Sequence, residues 1–439
     1  MHFDHLDQSV HLVKGPESQS QIPVLPDTQE LPSLQEVHST HIPTLVWIPK
    51  SARGDVSKEL GDLYNRVHDT PHIKTLWTLL LMFPRAILPA IHSPKHADTL
   101  SLGKKVKARL ARWKRGEYRQ LWDEAIKATK PKTSRKKGRQ PTELSQDELN
   151  GRRATSLAHD GQYTKALQAL CSSGLAQNNQ DTLREMQSKH PTPPNQSTFQ
   201  LETDTPQISF TKEQVVKAVS TFKRGTCPGP SGLRAEHLQV ITKTAAPNRS
   251  DKFGDSLTKL VNICAAGKVP VEVAPFLAGA RLFAVNKKDG GKRPIAAGNL
   301  IRRLTSKCCN TCVAEKAVAL FGSLQLGVGV KGGLEATVHA VRHAVDDWSE
   351  QGLGVLQVDF VNAFNYADRD AAFSEVEKHF PEILKWVYTC YGVEAELVMG
   401  DHTILSKTGF HQGGTHKYVQ SVHKYSHHLT SHIRSIQPE

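Results

Sequence analysis

Residues 354–369, Gly-Val-Leu-Gln-Val-Asp-Phe-Val-Asn-Ala-Phe-Asn-Tyr-Ala-Asp-Arg, put an aspartate at the end of an apolar run. Val355, Leu356 and Val358, bounded by Gly352 and Gly354, are too few for a helix and read as a buried central strand ending on Asp359. After a tight turn, Asp368 is placed to cap a helix whose inner face is Ala372, Phe373, Val376 and Phe380. A carboxylate at the carboxyl end of a central strand lies where open sheets bind ligands, and one or two such groups hold Mg²⁺ on substrate phosphates. Taken alone, Asp359 is equally compatible with a simple loop or capping role.

A chain of 439 residues has material for two or three domains. Only 38% of it is hydrophobic, so part is expected to remain unfolded. A net charge of +13 suggests a polyanionic partner, nucleic acid being the commonest. Nearly all of that excess sits in residues 104–139, where 15 Lys/Arg face 3 Asp/Glu. The candidate nucleic-acid contacts are Lys104, Lys105, Lys107, Arg109, Arg112, Lys114, Arg115, Lys136, Lys137 and Arg139. A solvated helix face followed by a basic linker would give the same count. Lys136–Arg139 also fits a nuclear import signal, so a nuclear or cytoplasmic location is expected.

Seven cysteines, none before Cys171, exclude a secreted disulfide framework as the organising principle. The opening Met-His-Phe-Asp-His is no signal peptide. The apolar stretch Thr75–Phe83, followed by Pro84-Arg85, falls far short of the roughly 20 residues needed to span a bilayer. It reads as a buried helix, and no membrane partner is expected.

Along the chain, residues 1–42 lack periodicity and are expected to be disordered. Residues 43–172 form a basic, mainly helical region, and 173–206 a polar linker. The main folded region then begins with a Thr211/Gln214 capping box ahead of Val215, Val219 and Phe222. Two short strands around Asp289-Gly290-Gly291, within 280–297, make a hairpin with Lys287, Lys288, Lys292 and Arg293 at its tip. Such a tip is either an ordinary solvated turn or a basic finger for a triphosphate.

These stretches together resemble reverse transcriptases of non-LTR retrotransposons. Asp359-x-x-Asn362-Ala363-Phe364-Asn365, followed by Arg369, is similar to the family's first catalytic motif. Residues 227–238 resemble the segment leading into the fingers, 282–308 the fingers hairpin with its Arg-Pro-Ile at 293–295, and 325–342 the Gly-rich fingers element. Residues 409–414, Gly-Phe-His-Gln-Gly-Gly, resemble the start of a motif usually ending Gln-Gly-Asp-Pro-Leu. The resemblance covers 207–413 in family order, and more weakly 42–54 and 103–122.

The resemblance implies an α+β fold. Residues 207–345 would be the fingers of a right-hand polymerase and 346–413 a partial palm, with 43–172 a pre-polymerase region and 414–439 an unrelated tail. It implies Asp359 as the first metal-binding carboxylate and Phe360 as a backbone-carbonyl neighbour of the second metal. Phe364 would lie under the sugar of the incoming nucleotide. Arg293 and Lys288 would contact the triphosphate, and Gln412 and Gly413 the template-nucleotide pocket. Mg²⁺, an RNA template, a DNA primer and deoxynucleoside triphosphates are the implied cofactor and partners. Two Mg²⁺ ions clamping the attacking and leaving oxygens require at least two strand-borne carboxylates.

The pattern breaks where those partners are due. In the family they follow the Gln-Gly motif on an aromatic-x-Asp-Asp hairpin, but here Gly414-Thr415-His416 replaces Asp-Pro-Leu. Glu439 is the sole acidic residue after Gly414. Asp346-Asp347 sits in a helical pattern with Val338, Val341, Val345 and Trp348, and Asp401 in a turn. A shifted frame or misjoined exon near codon 413, or true divergence, accounts for this, and polymerase inactivity is expected. The alternative is a non-catalytic basic nucleic-acid-binding remnant. His423/His427 and His428/His432 have helical i, i+4 spacing but no nearby carboxylate or thiolate, and Cys309-x-x-Cys312 reads as helix cysteines.

Overall fold

The computed structural model describes residues 31–90, 99–129, 144–159, 161–244, 247–287, 290–322, 325–327, 330–348 and 362–411. The N-terminal region is helical: α1 Leu34–Ser39, α2 Arg53–Asp69, α3 Lys74–Ile87, α4 Thr99–Lys114, α5 Tyr118–Thr129, α6 Gln146–His159, α7 Tyr163–Leu170 and α8 Gln180–Ser188. Helix α3 is the expected buried helix, with Trp77, Leu79, Met82 and Phe83 at most 1% exposed. It runs through Pro84 to Ile87 rather than stopping there. Proline cannot supply the bond to the carbonyl four residues back, and buried Arg85 bonds the next one, at Leu81, with Nη2 at 3.3 Å.

Helices α9 Lys212–Ser220, α10 Ala235–Thr244, α11 Pro247–Ala265 and α12 Ala274–Ala278 lead into strands β1 Ala280–Asn286 and β2 Lys292–Gly298. Both halves of the Thr211/Gln214 capping box form. Beyond the hairpin come α13 Leu300–Cys312, α14 Ala314–Phe321, α15 Gly333–Trp348, α16 Arg369–His379 and α17 Pro381–Tyr391, then β3 Ala395–Met399 and β4 His402–Ser406. Among the described residues the architecture is α+β: many helices around one four-stranded sheet of order β2-β1-β3-β4, with β1 and β3 parallel through a short contact, while the strand expected at 355–359 lies outside the described residues.

One hydrophobic cluster runs from Leu34 to Phe410, so the N-terminal helices and the later elements share a core. A second covers one face of the sheet, where Leu183 and Met186 of α8 pack on Ala280, Leu282, Ala284, Ala296, Leu397 and Ile404. The alternating burial along β1 follows from this: one face meets α8 and the other, with Arg281 and Phe283, does not.

Two elements depart from expectation. Helix α1 lies inside the stretch expected to be disordered, N-capped by Ser33 onto the Glu36 amide. It is anchored by buried Leu34 and Val37, too few apolar residues to show periodicity. Helix α8 lies inside the expected polar linker, N-capped by Asn179. The Asp346-Asp347 pair lies on α15 as expected. The valines of that helix are not buried: Val338, Val341 and Val345 are 50%, 42% and 44% exposed.

Candidate functional site

The turn that follows Asp359 is held from three sides. Asn362 adopts φ 54°, in the left-handed region that Asn tolerates better than most residues. Its carbonyl accepts from the amides of Asn365 (3.0 Å) and Tyr366 (3.3 Å), closing the turn. From one side, the Nδ2 groups of Asn362 (3.0 Å) and Asn365 (2.6 Å) both donate to the Lys189 carbonyl at the end of α8. That convergence explains the Asn-Ala-Phe-Asn spacing, since one carbonyl with two lone pairs takes both amides.

From the second side comes the segment between β4 and the Gln-Gly motif. The Phe410 amide donates to the Phe364 carbonyl (2.7 Å) and the Gly409 amide to the Ala367 carbonyl (3.0 Å). Gly409 has φ +64°, and a Cβ there would lie 2.4 Å from the Phe364 oxygen, so only glycine permits this approach. From the third side Arg369, buried behind the turn, donates to the carbonyls of Gly409, Tyr391, Val393, Ser406 and Thr408. Burial lowers its pKa to about 10, although Tyr391, whose ring lies 5.6 Å away, and Glu394 favour the charge. Asp368 caps α16 as expected, accepting from the Asp370 and Ala371 amides.

Helix α8 also reaches the hairpin. Glu185 accepts from Lys292 through its amide (3.0 Å) and its Nζ (2.6 Å), and Lys189 Nζ donates to the Lys292 carbonyl. The Lys292 bonds, with help from Lys189, hold the Glu185 carboxyl down at about 2. Helix α8 thus braces the hairpin against the turn after Asp359. Polar residues whose partners lie more than a hundred positions away gave no local signal of this.

On the other flank, buried Arg302 donates to His411 Nδ1 (2.6 Å) and to the Ala278 carbonyl, over the Tyr391 ring at 5.1 Å. Because Nδ1 accepts, His411 is neutral with its proton on Nε2. The residue next to Gln412 is therefore pinned by the helix that follows the hairpin.

Of the residues singled out in the sequence, Asp359, Phe360, Lys288, Gln412, Gly413, Lys136, Lys137 and Arg139 lie outside the described residues, as do the four tail histidines. Phe364 is half-buried in the turn. Arg293 is exposed on β2, opposite Val285. The structure thus brings together the residues just after Asp359 and those just before Gln412, with the hairpin braced to the same turn.

In the basic segment, the arginines are largely committed to the fold. Arg109 donates to the Ala86 and Leu121 carbonyls and pairs with Glu124. Arg112 pairs with Glu117 (2.6 Å) and Glu124 (2.8 Å), and Arg115 with Glu117. Lys107 and Lys114 lie near Asp55 and Glu59 of α2, while Lys104 and Lys105 are exposed.

Among the described residues no group of three or more His, Cys, Asp or Glu could hold a metal ion. The nearest carboxylates to the turn have other work. Asp368 caps α16, and Asp370 accepts from Ser197, Thr198 and Phe199. Among the described residues no helix is long and apolar enough to cross a membrane.

No family model matches the chain. It is similar to the retrotransposable element SLACS 132 kDa protein of Trypanosoma brucei gambiense, with 27% identity over 170 residues. That stretch is 38% of this chain and 13% of the relative, so the chain spans only a small part of that protein's length.

Proposed function

We propose that the chain is of retrotransposon origin and represents the fingers and partial palm of an RNA-directed DNA polymerase. The observation that carries this reading is the bonding of the turn after Asp359 to the segment before Gln412, through Phe364 and Phe410, beside a hairpin bearing Arg293. Residues that the resemblance assigns to one nucleotide cleft come from segments about fifty positions apart, and their described flanks meet. The likeness to a retrotransposable-element protein supports the same origin.

In this reading Asp359 is the first of the carboxylates such chemistry needs. The stretch 414–439, with Glu439 as its one acidic residue, does not supply the rest. No catalytic step is therefore assigned to a metal in this polypeptide. The 439-residue chain is expected to bind nucleic acid but not to extend a primer on an RNA template with Mg²⁺ and deoxynucleoside triphosphates. Incorporation that disappears in Asp359→Ala would refute the inactivity.

The second reading, nucleic-acid binding by charge alone, is favoured by the exposed Lys104 and Lys105 on α4 and the run of basic residues at 130–139. Under it, affinity falls steeply with salt and survives Asp359→Ala but not deletion of 104–139.

A further inference from the structure

A cleft of about 650 Å³ opens on the face of the sheet away from α8. Its walls come from the 41–44 loop, residues 175–178, the Cys227–Gly232 turn, β1 and the β3–β4 turn. Two arginines line it, Arg281 of β1 and Arg234, with Cys227 and Phe283 beside them.

The charge in this wall is poorly compensated. Arg281 donates to the Thr40 carbonyl at 3.4 Å, and Arg85, fully buried behind the wall, donates to the same carbonyl at 2.8 Å. Arg234 Nε donates to the carbonyl and hydroxyl of Thr44, each at 3.2 Å. All these acceptors are neutral, Arg85 lies over the Trp122 ring at 4.7 Å, and among the described residues its Nε has no hydrogen-bond partner. Asp401, the one acidic residue in the lining, is exposed at the β3–β4 turn. Buried His38 lies close behind. Burial above all, then Arg85 and Arg281, hold its pKa at about 4, so it is neutral at pH 7 and adds no further positive charge.

Desolvated guanidinium groups normally face carboxylates or a bound anion, because neutral carbonyls repay little of the lost hydration. Among the described residues neither Arg281 nor Arg234 pairs with an acid, and a cleft opens beside them. We propose that it binds a phosphate group, held by Arg281 and Arg234 through the paired N–H geometry that guanidinium offers to phosphate oxygens. The phosphate belongs either to a nucleic-acid strand or to a free nucleotide or pyrophosphate. The site does not depend on the polymerase reading, because neither arginine belongs to the nucleotide cleft assigned above.

Cys227 reports on occupancy from inside the cleft, and the exposed Cys171 and Cys312 serve as internal controls. The full chain is alkylated with N-ethylmaleimide in the presence of inorganic pyrophosphate or hexathymidylate, and each cysteine is followed by mass spectrometry. Either ligand should slow Cys227 saturably while leaving the two controls unchanged. Protection by the oligonucleotide alone identifies a strand, and protection by pyrophosphate alone a free phosphate compound. Arg281→Gln and Arg234→Gln should each raise the concentration needed for protection by roughly tenfold or more, the usual worth of a charge-assisted bond. Arg281→Gln should melt no lower than the wild type, because it removes an uncompensated charge. Failure of both ligands to protect the wild-type chain overturns the site, as does protection that persists undiminished in both variants.

Discussion

Arg369 is the most demanding test of how the turn after Asp359 is held. Its guanidinium reaches Gly409 O (3.0 Å), Tyr391 O (2.9 Å), Val393 O (3.1 Å), Ser406 O (2.9 Å), Ser406 Oγ (3.0 Å) and Thr408 O (3.3 Å). Replacing it with Met keeps much of the volume and strips the donor from five backbone carbonyls. A buried acceptor left without a partner costs about 1–3 kcal/mol, and relief of the buried charge offsets part of the sum. The net should be about 4 kcal/mol of local opening, roughly a thousandfold in the opening equilibrium. The assay is amide hydrogen exchange over 405–411, where the Gly409 and Phe410 amides bond to Ala367 and Phe364. Arg369→Lys keeps the charge but lacks the planar fork, and should lose nearly as much protection. The reasoning fails if Arg369→Met leaves exchange within about fivefold of wild type, which is at most about 1 kcal/mol, or if lysine restores it.

Two further outcomes follow from the same geometry. Gly409→Ala, with φ +64° and a Cβ 2.4 Å from Phe364 O, should part the turn from the segment before Gln412 at a cost of about 2 kcal/mol or more. Rapid exchange at Phe410 with normal exchange in α3 would show it. His237 is buried with Nδ1 accepting from the Arg234 amide and Nε2 bonded to Leu45 O at 2.7 Å, so the fold requires its neutral form, and burial lowers its pKa to about 4. Because the unfolded chain takes up that proton first, the stability is complete above the unfolded value of 6.5 and declines as pH falls toward 4, on the order of 3 kcal/mol. Melting followed from pH 7 to pH 4 should show this slope added to those of His38 and His41, whose pKa values burial also lowers to about 4, and His237→Asn should remove its own share while leaving theirs.

Local signals in the sequence foretold local structure. The hairpin, the Thr211/Gln214 box, the Asp368 cap and the buried α3 each depend on residues within a few positions of one another, and each is present. Helix α8 was illegible because Leu183 and Met186 are its only buried apolar anchors and its polar partners, Lys292, Asn362 and Asn365, lie far along the chain. Charge counting found the basic segment but not its pairing: Glu117 and Glu124 engage three of its arginines, and Arg109 is spent on carbonyls. The same blindness hid Arg281, whose bonding to a neutral carbonyl rather than an acid, among the described residues, is a fact of three dimensions. The Asn-Ala-Phe-Asn spacing stood out as unusual, yet its cause, a shared carbonyl at Lys189, lay more than 170 residues upstream.

In the proposed reading these segments assemble the first half of a polymerase nucleotide cleft around Asp359. Its most direct measurement is RNA-templated primer extension by the chain joined after Gly413 to the remaining palm of an active retrotransposon reverse transcriptase. The account predicts Mg²⁺-dependent incorporation that vanishes in Asp359→Ala and drops when Arg293 is replaced. A well-folded hybrid that incorporates nothing, or incorporates equally with Asp359→Ala, would contradict it.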